Sequence, residues 1–294
     1  MWSPIRDHTA YVRLARSRAD GIRSGFMATH PTKWPPGSPC WIEIMAGDLE
    51  WTQRFYSAVL GWEFEDLGEE FGHYTNAHLG GRRVAGISPP IPGDDEWPSV
   101  WTTYLASDNV DATAAAAVAG GAQVLMDPLE IGWLARAALW IDPVGAAFGA
   151  WEARKHTGYV AHGEHGTVGW VDLATPELEV SRDFYGSVFG LTYEDMSVDE
   201  ATYLTFTPPG VEWAVGGMGA QVPGDALGPR WCVAFQVDDL ETARQRVLDE
   251  GGEAPDEPWE AEQGEILTVL GPDGEEFSLM TSTFPPEVGS SHLA

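Results

Sequence analysis

The chain contains few cysteines and few basic residues for its length of 294. Cys40 and Cys232 are its only cysteines, so the sequence cannot build a disulfide framework or a CxxC metal knuckle. It has no run of 18 apolar residues, and its arginine-rich N-terminus lacks the apolar core of a secretory signal. Together these absences predict a cytoplasmic protein.

Positive charge is scarce and unevenly distributed. The formal net charge is −29, and six of the 16 lysines and arginines lie in residues 1–38. Beyond that segment, ten basic residues oppose 43 acidic ones. Such a surface repels phosphate backbones and anionic lipids, so we expect neither nucleic-acid nor membrane binding. The simplest explanation of the acidity is solubility.

The most informative feature that is present is a long internal repeat. "CWIEIMAGDLEWTQRFYSAVLGWEFED" (40–66) aligns without a gap with "GWVDLATPELEVSRDFYGSVFGLTYED" (169–195). Further along, "WTTYLASDNVD" pairs with "CVAFQVDDLE", and "DPVGAAFGAW" pairs with "GPDGEEFSLM". Each copy also repeats a weaker pattern internally: a strand, an acidic turn, a helix and three strands. The pattern predicts four βαβββ units of α+β class.

The repeat also sets the expected domain boundaries. We predict an N-terminal arm at 1–37, a first domain at 38–155, a linker at 156–167, a second domain at 168–284 and a tail at 285–294. Met27 is an alternative start, which would leave residues 1–26 outside the natural protein. A tandem chain already supplies two modules, so a monomer and a homodimer are both compatible with it.

Strand alternation divides the side chains between two faces. In the first strand, Ile42 and Ile44 are expected to pack under the helix, which leaves Trp41 and Glu43 on the helix-free face. The same reasoning assigns to that face a set of candidate ligand-contacting residues, namely Trp41, Trp101, Thr103, Trp151, Trp170, Asp172, Cys232, Gln236 and Ser278. Each copy is therefore expected to enclose a cleft.

These residues resemble the vicinal-oxygen-chelate superfamily, which includes glyoxalase I, bleomycin-resistance proteins and extradiol dioxygenases. The resemblance rests on a first strand with a D/E-L-E turn, then FYxxxxG, a second strand ending in "VDDLE", and a closing "PDGEEF". It covers about 38–155 and 166–284. The tandem form with Trp-x-acid in both first strands is similar to actinobacterial glyoxalase-like proteins, some of them encoded with antibiotic biosynthesis genes. The resemblance implies two glyoxalase-like domains in one chain.

The resemblance also implies where metal ligands would lie, and this sequence departs from the pattern there. The implied positions carry Trp41, Trp101 and Gly149 in the first copy and Trp170, Cys232 and Ser278 in the second. A fourth position falls near Gly86 and Gly217. Indole and glycine provide no side-chain ligand for a divalent cation. We therefore expect no metal and no other cofactor.

The candidate residues have structural as well as functional interpretations. The tryptophans could stack on a flat aromatic ligand or simply fill a vestigial cavity. Glu43 and Asp172 could act as general bases with raised pKa values, or accept structural hydrogen bonds. Cys232 has no histidine partner in the sequence pattern, which favours a small core residue over a nucleophile.

Two classes of function follow. The first is a metal-free binding protein whose partner is a small hydrophobic, aromatic natural product, for resistance, sequestration or delivery in antibiotic metabolism. The second is a metal-independent tailoring enzyme acting on an aromatic polyketide-like substrate, with Glu43 as its acid–base residue. A metal-dependent lyase or dioxygenase ranks third, because its ligand positions carry the wrong side chains.

Overall fold

The fold is known from a computed structural model that describes residues 29–89, 99–198, 201–221, 227–261 and 264–281. Most of the predicted N-terminal arm and the whole predicted tail at 285–294 lie outside these ranges. None of the helices in the described ranges has the length and apolarity needed to cross a membrane.

The first copy contains two βαβββ units. The first unit comprises β1 (Pro39–Met45), α1 (Leu49–Leu60), β2 (Glu63–Asp66), β3 (Thr75–Leu79) and β4 (Arg82–Ser88), with a short 3-10 turn at Glu69–Phe71. The second comprises β5 (Thr102–Ala106), α2 (Val110–Ala119), β6 (Gln123–Ile131), β7 (Ala135–Ile141) and β8 (Ala147–Ala153).

The second copy repeats this order. Its first unit comprises β9 (Val168–Thr175), α3 (Leu178–Phe189), β10 (Thr192–Asp195), β11 (Tyr203–Thr207) and β12 (Gly216–Ala220). Its second comprises β13 (Arg230–Gln236), α4 (Leu240–Asp249), β14 (Trp259–Ala261), β15 (Gly264–Leu270) and β16 (Glu276–Met280).

Each copy forms one eight-stranded mixed sheet. The strand order is β2-β3-β4-β1-β5-β8-β7-β6 in the first and β10-β11-β12-β9-β13-β16-β15-β14 in the second. In both sheets the first strands of the two units pair antiparallel at the centre. The prediction of an α+β fold made of four βαβββ units in two tandem domains is confirmed.

Side-chain caps fix where the helices begin. Asp48, Asn109 and Asp239 each accept a hydrogen bond from the backbone N–H three residues later, at the start of α1, α2 and α4. This bond satisfies one of the otherwise unpaired N–H groups of the first helical turn. The caps also show how the units correspond, because Asn109 in the first copy takes the place of Asp239 in the second.

The helix-covered faces of the two copies pack together through matching tyrosines. The hydroxyl of Tyr56 on α1 donates to Glu275 at 2.7 Å and accepts from the Trp101 indole at 3.1 Å. In the other half, the hydroxyl of Tyr185 on α3 donates to Asp142 at 3.1 Å and accepts from the Trp231 indole at 3.0 Å. Both tyrosines are fully buried, so each copy contributes to the core of the other.

The expected placement of Trp101 and Thr103 on the helix-free face is wrong. Thr103 pairs with Ile42 across the strands and Tyr104 pairs with Trp41, so Thr103 shares the helix-covered face and Tyr104 the opposite one. Trp101 packs on Tyr56 with ring centroids 5.4 Å apart. Its counterpart in the second copy is Trp231, and the counterpart of Cys232 is Thr102. The error was a one-residue slip in aligning this strand, which moves every side chain to the other face.

Candidate functional sites in two unequal clefts

The helix-free face of each sheet carries an acid, a tyrosine and a tryptophan in the same arrangement. Glu43 on β1 pairs with Gly86 on β4, and Asp172 on β9 pairs with Gly217 on β12. A tyrosine from the neighbouring strand covers each glycine. A Cβ added to Gly86 would lie 1.7 Å from the Tyr74 hydroxyl, and one on Gly217 would lie 1.9 Å from that of Tyr203. Glycine at these positions is required for the tyrosine to reach the acid.

In the first cleft, the helix-free face of residues 39–153, two tyrosines hold the acid. Tyr74 donates to one oxygen of Glu43 at 2.8 Å, and Tyr104 donates to the other at 2.5 Å. The Trp41 indole donates to the Tyr74 hydroxyl at 2.9 Å. Burial raises the pKa of Glu43, and the two tyrosine hydrogen bonds oppose that rise. Both oxygens of this carboxylate are therefore already engaged.

In the second cleft, the helix-free face of residues 168–280, a single tyrosine donates to the acid. Tyr203 donates to Asp172 at 2.7 Å, and the Trp170 indole donates to the same oxygen at 3.0 Å. Burial raises the pKa of Asp172 to about 6, against the lowering effect of these two donors. Asp172 is half-buried, and both donors bind the same one of its two carboxylate oxygens.

The clefts differ because large side chains in the first are small in the second. Tyr104 pairs with Gly149, whereas Ala234 at the equivalent position pairs with Ser278. The Tyr104 ring lies directly over Gly149, where an added Cβ would be 2.2 Å from it. The ring therefore covers Gly149 in the first cleft, whereas Ala234 places no ring over Ser278 in the second.

The predicted linker also fills the first cleft. The imidazole of His156 packs edge-on against Trp41 with ring centroids 4.5 Å apart, and against Trp151 at 5.0 Å. Burial lowers the pKa of His156 to about 3, with the nearby Arg83 as a further cause, so the ring is neutral near pH 7. Trp41, Tyr104, Trp151 and His156 are all at most 5% exposed.

The second cleft has a different, apolar lining. Trp170, Ala234 and Met280 form a small cluster separate from the main core, and Ala214 and Ile266 pack against it. Met280 stands where the first copy has Trp151. The result is an apolar face, made of one indole ring and of small or flexible groups, beside one half-buried acid.

Comparison with known proteins agrees with this architecture. The family model of the Glyoxalase/Bleomycin resistance protein/Dioxygenase superfamily matches residues 40–149 and again 167–279. The chain belongs to this superfamily. Two similar superfamily proteins are CFP32 of Mycobacterium tuberculosis (strain CDC 1551 / Oshkosh), named provisionally as a glyoxylase, and the anthracycline biosynthesis protein DnrV of Streptomyces peucetius. CFP32 is 32% identical over 85% of this chain and 96% of its own. DnrV is 30% identical over 85% of this chain and 94% of its own.

Solved superfamily structures share the fold at low sequence identity. The Mn(II)-bound glyoxalase of Novosphingobium aromaticivorans superimposes with a TM-score of 0.60 at 18% identity, covering 84% of this chain and 82% of its own. The 2,3-dioxygenase LapB of Pseudomonas sp. KL28 superimposes with a TM-score of 0.60 at 12% identity, covering 90% of this chain and 98% of its own.

The residues at the superfamily's metal positions do not fit a divalent cation in this chain. With the corrected register, those positions carry Trp41, Gly86, Thr102 and Gly149 in the first copy, and Trp170, Gly217, Cys232 and Ser278 in the second. Neither set contains an imidazole or a carboxylate. Across the described residues, no group of three or more His, Cys, Asp or Glu side chains is placed to hold a metal ion.

The structure therefore sorts the predicted site residues into three places. Trp41, Glu43 and Trp151 lie together in the first cleft, while Trp101 and Thr103 lie on the opposite face of that sheet. The remaining candidates line the second cleft, namely Trp170, Asp172, Cys232, Gln236 and Ser278. Cys232 lies directly across from Asp172, and neither cysteine is in a disulfide.

Sequence reasoning missed the tyrosines that hold the acids, Tyr74, Tyr104 and Tyr203, and it missed His156. Tyr74 and Tyr203 left a signal, because "HYTNAHL" and "TYLTFTP" align on these two residues. Tyr104 and His156 have no counterpart of their own type in the repeat, so the repeat could not reveal them.

Proposed function

We propose that the protein binds a small, flat, mainly apolar aromatic molecule in its second cleft, without a metal ion, as part of antibiotic metabolism in the cytoplasm. The observation that carries the proposal is the contrast between the clefts. The first is filled by Tyr104, Trp151 and His156, and the second has Ala234 and Met280 at the first two of these positions.

The chemistry of the second cleft supports an aromatic ligand with a polar edge. The Trp170 ring and the thioether of Met280 are polarisable groups that pack well against an aromatic face. Asp172 and the Tyr203 hydroxyl stand at one end of this apolar surface and can exchange hydrogen bonds with a ligand hydroxyl or carbonyl. The names of DnrV and its relative DauV, both anthracycline biosynthesis proteins, support a polycyclic aromatic ligand.

The experiment introduces into the second cleft the tyrosine–glycine pair that fills the first. Ala234→Tyr with Ser278→Gly reproduces the Tyr104–Gly149 pair, and Ser278→Gly alone is the matched control because it adds no ring. Binding of 1,8-dihydroxyanthraquinone is measured by isothermal titration calorimetry. We expect the double variant to lose at least about tenfold in affinity, equivalent to about 1.4 kcal/mol, and the control to bind as the wild type does. Equal affinity in the wild type and the folded double variant would refute the proposal.

A second candidate function is metal-independent catalysis, and the pKa of Asp172 supports it. A carboxylate with a pKa of about 6 beside a half-buried thiol and an apolar surface can accept a proton near neutral pH. Glu43, the acid first proposed for this role, has both oxygens engaged by tyrosines. Asp172→Asn should abolish turnover of an aromatic substrate while affinity survives. Glu43→Gln is the matched control. An equal loss of turnover in the two variants would count against Asp172 as the general base.

A further inference from the structure

The first cleft also has a polar part, on the strands β2, β3 and β4. Cross-strand pairing places Glu65, Asn76 and Gly86 in one row, and Glu63, His78 and Arg83 in the next. Gly86 also pairs with Glu43, so these rows share the face of the first cleft. The polar part thus lies on β2, β3 and β4, beside the aromatic residues of β1, β5 and β8.

Asn76 carries an unsatisfied acceptor there. The residue is 4% exposed, and its Oδ1 is buried without a hydrogen-bond partner among the described residues. An unpaired buried acceptor of this kind destabilises the folded state relative to a paired one. Most buried polar atoms in folded proteins are paired, so this exception makes Asn76 a candidate contact for a ligand.

Arg83 carries an unsatisfied donor on the adjacent strand. It is half-buried, its Nε is buried without a hydrogen-bond partner, and no carboxylate in the described ranges lies within ion-pair distance of its guanidinium. The nearby Glu65 is instead 3.6 Å from His78. The preceding residue, Arg82, is ion-paired with Glu164, so pairing is the usual state of arginines in this acidic chain.

Asn76 and Arg83 are close enough to bind one small molecule. They lie on paired strands, with Asn76 opposite Gly86, Arg83 opposite His78, and a β-bulge between these two pairs. A guanidinium is a planar donor suited to an oxyanion, and an amide oxygen accepts from a hydroxyl.

We propose that the first cleft contains a second ligand site, for a small planar oxyanion with an adjacent hydroxyl group. Arg83 binds the oxyanion, and Asn76 accepts the hydrogen bond of the hydroxyl. The site is independent of the apolar site in the second cleft, since the two share no residue.

Salicylate is the probe, because it carries a carboxylate and an ortho hydroxyl on one ring. Binding to the full chain is followed by isothermal titration calorimetry, with benzoate as the ligand that lacks the hydroxyl. We expect saturable salicylate binding in the millimolar range or tighter, and weaker benzoate binding. Arg83→Gln should weaken salicylate binding at least about tenfold. Arg83→Lys keeps the charge but loses the planar donor, so it should weaken binding less than Arg83→Gln does, and Arg82→Gln should leave it unchanged.

Asn76→Thr tests the acceptor with a residue that the chain itself uses, because Thr205 holds the equivalent position in the second copy. This variant should bind salicylate and benzoate alike. Salicylate affinity that is unchanged in folded Arg83→Gln, or no saturable binding by the wild type, would overturn the proposal. The Ala234→Tyr/Ser278→Gly variant should bind salicylate normally, so failure of this site and failure of the proposed function are distinguishable.

Discussion

Replacing Glu275 by glutamine removes a carboxylic acid from the contact between the two copies. Glu275 is 1% exposed, and it accepts hydrogen bonds from Tyr56 of the other copy at 2.7 Å and from the backbone N–H of Asp273 at 2.9 Å. Burial raises its pKa from 4.5 to about 7, although these hydrogen bonds oppose the rise. The protonated form is therefore the one that the folded protein favours.

The sign of the pH dependence follows from this rise. Between pH 4.5 and 7 the folded state holds a proton on Glu275 that the unfolded state has released, so the free energy of unfolding falls as the pH increases. The shift corresponds to about 3 kcal/mol lost over that window, with no further change above it. Glu275→Gln lacks the titrating group, so its stability should not fall for this reason.

Urea unfolding at pH 5, 6, 7 and 8 measures the effect. The difference in unfolding free energy between the wild type and Glu275→Gln should shift by about 2–3 kcal/mol in favour of the variant from pH 5 to pH 8. Tyr56→Phe is the companion variant. Loss of its hydroxyl removes a bond that lowers the pKa of Glu275, so the fall should extend to higher pH. A constant difference between wild type and Glu275→Gln at all four pH values would refute the reasoning.

Three further predictions concern the first cleft and the cysteines. Tyr104→Phe leaves one oxygen of half-buried Glu43 without its donor, so the free energy of unfolding should fall by about 1–3 kcal/mol, and unchanged urea midpoints would contradict this. Gly149→Ala forces the Tyr104 ring to move and should cost about 1–3 kcal/mol in thermal or urea unfolding, whereas a neutral result would show that the ring is not fixed. Iodoacetamide should label half-buried Cys232 before Cys40, whose burial raises its thiol pKa; equal labelling rates by mass spectrometry would count against the described burial.

Much of the fold was predictable because the repeat is written in the sequence. Two copies of one pattern constrain each other, and the strand–helix–three-strand order follows from hydrophobic period and helix caps. The slip at Trp101 shows the limit. Aligning this strand by its aromatic residue, and not by the Asn109 helix cap, displaces it by one position. Because side chains alternate along a strand, the displacement assigns each of them to the wrong face of the sheet.

The sites were less predictable, because they depend on contacts between distant segments. Tyr74 and Tyr104 reach Glu43 from 31 and 61 residues away, and no local pattern records this. His156 lies in a segment that composition describes as a linker, yet it packs on Trp41. The difference between the clefts follows from single replacements such as Tyr104 by Ala234, which become informative once the sheet register is known.

The central claim, that the second cleft receives the aromatic ligand, is tested most directly by the methyl resonances of the methionines. Protein labelled with carbon-13 at the methionine methyl groups is titrated with 1,8-dihydroxyanthraquinone. The ring current of a bound aromatic should shift the resonance of Met280, in the second cleft, and leave that of Met45, on β1 of the first copy, in place. Saturable binding that leaves the Met280 resonance unmoved would contradict the account.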